Sequence, residues 1–90
     1  MEPLPTIRLL IATIEQFIEG DLIIPDNMKF DSNEPDNILF YIINSGLNFV
    51  SLKNCEIKDR KNLAFRPDRA RLVHVNMLNI SSIQIVDNVD

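Results

Sequence analysis

His74 and Cys55 are the side chains in this 90-residue chain best suited to acid–base, metal or nucleophilic chemistry, and each residue type occurs once. A lone imidazole can act as a general base, a general acid or a metal ligand, but each role needs a second group converging on it. No spacing in the sequence supplies that group. His74 is therefore expected as a partly buried ring with one hydrogen-bond partner, set in a strand rich in β-branched residues. Cys55 alternates within an apolar segment and reads as a small core group. Lys53 and Lys58 lie near it and would lower its pKa only if the thiol were exposed. Neither residue belongs to a nucleophile–base pair. The carboxylates Asp21, Asp26, Asp31, Glu34 and Asp36 lack the glycine and regular oxygen offsets of a calcium loop, so solvated loops and a helix start are their expected places. Gly20 and Gly46 stand alone and make no phosphate-binding loop. No catalytic, cofactor-binding or metal-binding residue is assigned, no cofactor is implied, and the chain is not expected to be an enzyme.

Charge offers a second kind of chemistry. Nine basic residues against thirteen acidic ones give a net charge of −4, which opposes general nucleic-acid binding. The distribution is uneven. Between positions 53 and 71, seven basic residues (Lys53, Lys58, Arg60, Lys61, Arg66, Arg69, Arg71) face three acids (Glu56, Asp59, Asp68), a local +4. The rest of the chain holds two basic and ten acidic residues, a local −8. Lys58, Arg60, Lys61, Arg66, Arg69 and Arg71, with Phe65 as a stacking ring, define a candidate anion or nucleic-acid surface. The same counts suit a solvated loop beside an acidic surface, or a basic patch that meets an acidic partner or the acidic region of another copy.

The elements that must position these groups are mostly extended. Residues 6–19 carry both periods. Ile7, Leu10, Ile11, Ile14, Phe17 and Ile18 fit a helix capped by Thr6 and ended by Gly20. That local pattern favours the helix; dense β-branching, and the shared strand face of Ile18, Gly20, Leu22 and Ile24, pull back toward a hairpin turning near Glu15-Gln16, so both readings stay open on the residues alone. Pro25-Asp26-Asn27 ends that unit. Met28 and Phe30 are expected to pin the following loop onto the core. A short helix then runs from an Asp36 cap to Asn44, with Leu39, Ile42 and Ile43 as its stripe, Ile38 at the edge and Gly46 as a left-handed stop. From Leu47 to Leu52 a strand buried on both sides is expected, with Leu47 and Phe49 on one face and Val50 and Leu52 on the other. Lys53-Asn54 interrupts it as a turn or bulge before a further strand at Cys55-Glu56-Ile57-Lys58. Residues 59–68 read as a charged loop with Leu63, Ala64 and Phe65 as an apolar island. Strands follow at 71–76, with Val73 and Val75 facing opposite to Leu72 and His74, and from Ser82 to Val86, after a turn at Asn79.

A single domain is expected, with a flexible arm at 1–5, a core at 6–86 and a polar tail at 87–90. The 46% apolar content is that of a globular chain. One cysteine provides no disulfide framework, Glu2 and two early prolines are wrong for a signal peptide, and no apolar run approaches the roughly 18 residues of a membrane span. A cytoplasmic protein is expected.

The succession Gly20-Asp21-Leu22-Ile23-Ile24-Pro25, Asp36-Asn37-Ile38-Leu39, Phe49-Val50-Ser51-Leu52-Lys53-Asn54-Cys55-Glu56-Ile57, and Val75-Asn76 with Ile80 and Ile83, resembles a family of small bacterial domains with Sm-like five-stranded barrels. The resemblance implies a mainly β, small Sm-like open barrel of order β-β-α-β-β-β with one short helix, and it carries no reaction with it. The long acidic loop at 31–35 departs from that pattern, and no RNA-binding motif of true Sm proteins is present. The expected function is a protein-interaction or assembly module, with a homo-oligomer or another protein as partner. The alternative is a single-stranded nucleic-acid-binding barrel using the basic 58–71 segment; no membrane partner is expected.

Overall fold

In the computed structural model, which describes residues 4–62 and 66–86, the first apolar segment forms a hairpin and not a helix. β1 (Arg8–Thr13) and β2 (Gln16–Leu22) pair antiparallel, Leu9 opposite Gly20 and Ile11 opposite Ile18. Leu9 and Ile11 turn inward with Ile18 and Leu22, a period-two pattern that a pleated strand can bury and a single helix stripe cannot. The turn lies at Ile14-Glu15, one residue earlier than the spacing suggests, and Thr13 holds it. Its Oγ1 accepts from the Gln16 N–H at 3.1 Å and donates to the Gln16 carbonyl at 3.3 Å.

Met28 and Phe30 pack against the core, as expected of loop anchors. They lead to α1 (Pro35–Ile43), whose start corrects the sequence reading. Glu34, not Asp36, is the N-cap, and its side chain makes no capping bond. Proline is preorganised for the first helical position and needs no hydrogen bond there, so Pro35 begins the helix and Asp36 falls in its first turn. There its charge complements the positive end of the helix dipole. Ile38, Leu39 and Ile42 are buried, while Ile43 sits off the stripe and is exposed. Gly46 adopts φ +83° just past the helix, the left-handed conformation expected of it.

β3 (Phe49–Asp59) is one continuous strand where a broken pair was expected, and it is buried on one face only. Val50 and Leu52 point into the core, whereas Leu47 and Phe49 are exposed, Phe49 by 50%. The Lys53-Asn54 interruption is a bulge. Glu19 pairs with Glu56 but Asp21 pairs with Lys53, so β3 carries one residue more than β2 across this stretch, and Asn54 takes φ +54°. That extra residue flips the parity: positions 50 and 52 face inward before it, 55 and 57 after it. Val50 and Leu52 before the bulge and Cys55 and Ile57 after it therefore belong to one core face, and Leu47 and Phe49 lie outside it.

β4 (Asp68–Asn76) pairs with β3, a 3₁₀ turn (Met77–Asn79) follows, and β5 (Ile80–Ile85) returns to pair with β1. Both strands start earlier than the sequence suggests, at Asp68 and Ile80 instead of positions 71 and 82. The sheet runs β4-β3-β2-β1-β5, all neighbours antiparallel, with β4 and β5 as its two edges. The protein is thus mainly β, five strands in one open sheet with one short helix, in the expected order and consistent with a small open barrel. Strand residues Leu9, Ile11, Ile18, Leu22, Val50, Leu52, Cys55 and Val75 form one core with the helix residues Ile38, Leu39 and Ile42. Among the described residues, no helix is long and apolar enough to cross a membrane. The apolar island at 63–65 and the polar tail at 87–90 lie outside the described residues, as do positions 1–3 of the arm.

Candidate interaction surfaces

The basic residues fall at the end of β3, in the segment that follows it and on β4. Lys58 pairs across the sheet with Phe17. Arg60 reaches the turn of the β1–β2 hairpin, where its Nη1 donates to the Thr13 carbonyl at 2.6 Å and its guanidinium lies 5.1 Å from the centre of the Phe17 ring. Its backbone N–H donates to the Glu15 carbonyl, which fastens the end of β3 to the same turn. The Lys61 N–H donates to Asp59 Oδ1, Arg66 is exposed, and Arg69 and Arg71 lie on β4. Phe65, the expected stacking ring, lies outside the described residues. The aromatic partner found in this segment's neighbourhood is Phe17, brought by strand pairing from 43 positions away in the case of Arg60.

Arg69 and Arg71 join a mixed-charge surface. Arg8 on β1 donates from Nε to Glu19 Oε2 at 2.7 Å and from Nη1 to Asp21 Oδ1 at 3.2 Å. Asn54, held at the bulge, adds its carbonyl to Arg8 and donates its amide to Asp21. The bond to Glu19 is the largest influence raising the Arg8 pKa above its ordinary value; burial acts against it and Asp21 adds to it. Arg69 approaches Glu56 at 4.0 Å, a largely exposed contact of small energetic weight. A depression of about 370 Å³ lies among Arg8, Asn54, Glu56, Arg69 and Arg71. Arg8 takes both Glu19 and Asp21 and Arg69 lies near Glu56, while Arg71 makes no ion pair among the described residues.

His74 is exposed where partial burial was expected, but it does have a hydrogen-bond partner. Its Nδ1 lies 2.6 Å from Ser51 Oγ, the residue directly opposite on β3. A hydroxyl beside an imidazole is the minimal form of an activated nucleophile. Among the described residues, however, no carboxylate hydrogen-bonds the ring, and the pair has the arrangement of an ordinary cross-strand contact. It forms the polar rim of a cleft of about 680 Å³ walled by Leu22, Ile23, Pro25, Ile42, Leu47 and Phe49. A second groove, about 530 Å³, runs between α1 and the preceding loop, where Phe30 meets Tyr41 edge-on at 5.3 Å and Phe40 is 71% exposed. The sequence offered both sets of apolar residues, but its double-sided strand placed Leu47 and Phe49 in the core.

Cys55 is buried, as expected, and burial pushes its thiol pKa up. Among the described residues, no group of three or more His, Cys, Asp or Glu side chains converges to hold a metal ion. Asp21 is committed to Arg8, while Asp26, Asp31, Glu34 and Asp36 lie exposed on the loop and the first turn of α1. Comparison with protein-family models, with curated proteins and with solved structures finds no match to this chain.

Proposed function

We propose that the protein is a cytoplasmic assembly module that acts by binding a second copy of itself or another protein, with no catalytic step of its own. The observation that carries this reading is the open sheet: β4 and β5 each end it with an edge that no strand among the described residues pairs. Unpaired strand edges are templates for further pairing, and small β domains either cover them or use them. The exposed Ile23, Leu47, Phe49 and Leu72 add apolar surface that association would remove from water. The likeness to Sm-like barrels belongs to the same reading, supported by the early hairpin, the connecting helix and the three later strands.

Size-exclusion chromatography with light scattering, run over a wide concentration range, tests it. A mass above that of one chain, falling on dilution, is the expected result. A strict monomer that instead binds single-stranded oligonucleotide, and loses that binding when Arg60, Lys61, Arg66 and Arg69 are neutralised, would replace it with the nucleic-acid reading.

A further inference from the structure

The two sheet edges are not equivalent. β4 carries Asp68, Arg69 and Arg71 and follows Pro67, the kind of charge and proline placement that blunts an edge against pairing. β5 reads Ile-Ser-Ser-Ile-Gln-Ile and holds neither a charge nor a proline. Its hydrogen-bonding direction follows from one contact. The Val86 N–H donates to the Arg8 carbonyl at 2.8 Å, so residues 86, 84 and 82 face β1. By the alternation of antiparallel ladders, the N–H and C=O groups of Ile83 and Ile85 then point away from the sheet, into the open edge. Ile80, Ile83 and Ile85 are only half-buried there, while Ser82 and Gln84 are exposed on the opposite face.

We propose that β5 is a self-pairing edge: two copies join antiparallel through β5 about a two-fold axis at Ile83, making one continuous ten-stranded sheet. This rests on the assembly reading above and names its contact. Charge permits a second copy at this strand. Each chain carries a net charge of −4, so two copies repel at long range and pair at least cost through a strand without charge; β5 carries none, with Asp36 across the depression beside it. The register is self-complementary as well. With Ile83 opposite Ile83 of the other copy, each exchanges both backbone hydrogen bonds, and Ile85 of one copy stands opposite Ser81 of the other. The inward Ile83 side chains then lie side by side and extend the apolar face from one sheet to the next. A depression of about 630 Å³ between the start of α1 (Pro35, Asp36, Leu39) and Ile83, Gln84 and Ile85 leaves space for the incoming strand's inner side chains. An isologous contact of this kind closes on itself as a dimer.

The register makes a specific demand: Ser82 of one copy faces Gln84 of the other, as a pair whose backbone groups point away from each other. Such pairs bring Cα atoms to about 4.5 Å, within reach of a disulfide. Both positions are exposed, and the native Cys55 is buried. Ser82→Cys and Gln84→Cys proteins, prepared separately and mixed under mild oxidation without denaturant, should form a disulfide-linked heterodimer. The mixture should link at least about tenfold faster than either variant alone, because like positions are not opposite. Wild type should give no link. If the mixture links no faster than its components while the wild type still associates by light scattering, the β5 contact is wrong and the assembly reading stands. If the wild type is monomeric at every concentration, both fall.

Discussion

At Gly20 the fold depends on a missing methyl group. A Cβ there would lie 2.7 Å from Cys55 Sγ, 3.0 Å from the Lys53 carbonyl oxygen and 3.1 Å from Leu52 Cβ, so β2 can approach the bulged β3 only without a side chain. Gly20→Ala is expected to cost about 1–3 kcal/mol in urea denaturation. Adding Cys55→Ala should recover part of that loss, since the sulfur goes but the backbone oxygen stays; strict additivity of the two changes would contradict the steric account. The thiol makes a pH-dependent contribution of its own. Burial raises its pKa above the unfolded value, with the Arg8 charge pulling weakly the other way. The folded chain therefore keeps a proton that the unfolded chain releases, and stability falls as pH rises past about 8.5 and on toward the folded pKa. Urea melts at stepped alkaline pH should show this slope in the wild type and a shallower one in Cys55→Ala.

At the level of elements, the bulge in β3 organises the sheet, and it was only half legible in the sequence. Lys53-Asn54 marked an interruption, but nothing in residue types showed that the strand continues with its parity reversed. Leu47 and Phe49 precede the bulge; their apolar alternation suggested a second buried face, and the structure leaves both exposed. The hairpin was only partly legible: Ile18, Gly20 and Leu22 share a strand face, but the local period of Ile7, Leu10, Ile11, Ile14, Phe17 and Ile18 favoured a helix, and what decides it is cross-strand pairing with Leu9 and Ile11. Asp36 looked like a helix cap because its side chain suits that role; Pro35 takes the chain into the helix two residues sooner. Asn54 at φ +54° supports a direct test. Asn54→Val, whose branched Cβ opposes the left-handed region, should cost about 1–2 kcal/mol, while Asn54→Gly should stay within a few tenths of the wild type, give or take the lost amide contact to Asp21. Equal losses for both would mean that the amide contact, and not the backbone conformation, is what the position requires.

Across the whole molecule, a chain of net charge −4 presents an open sheet, exposed apolar clefts and a basic segment, part of which finds partners across the sheet. Arg60 is drawn to the first hairpin and Arg69 to Glu56, positions set by strand pairing that no local charge count contains. These features give the two functional readings opposite responses to salt. Self-association between acidic copies through a neutral strand should strengthen as salt screens their repulsion. Nucleic-acid binding through arginines and lysines should weaken steeply as salt releases the counterion advantage. Sedimentation velocity of the wild-type protein, from micromolar to near-millimolar concentration at low and high salt, is the most direct measurement. The account predicts a reversible monomer–dimer equilibrium that shifts toward dimer at higher salt; a single monomer boundary under every condition would contradict it.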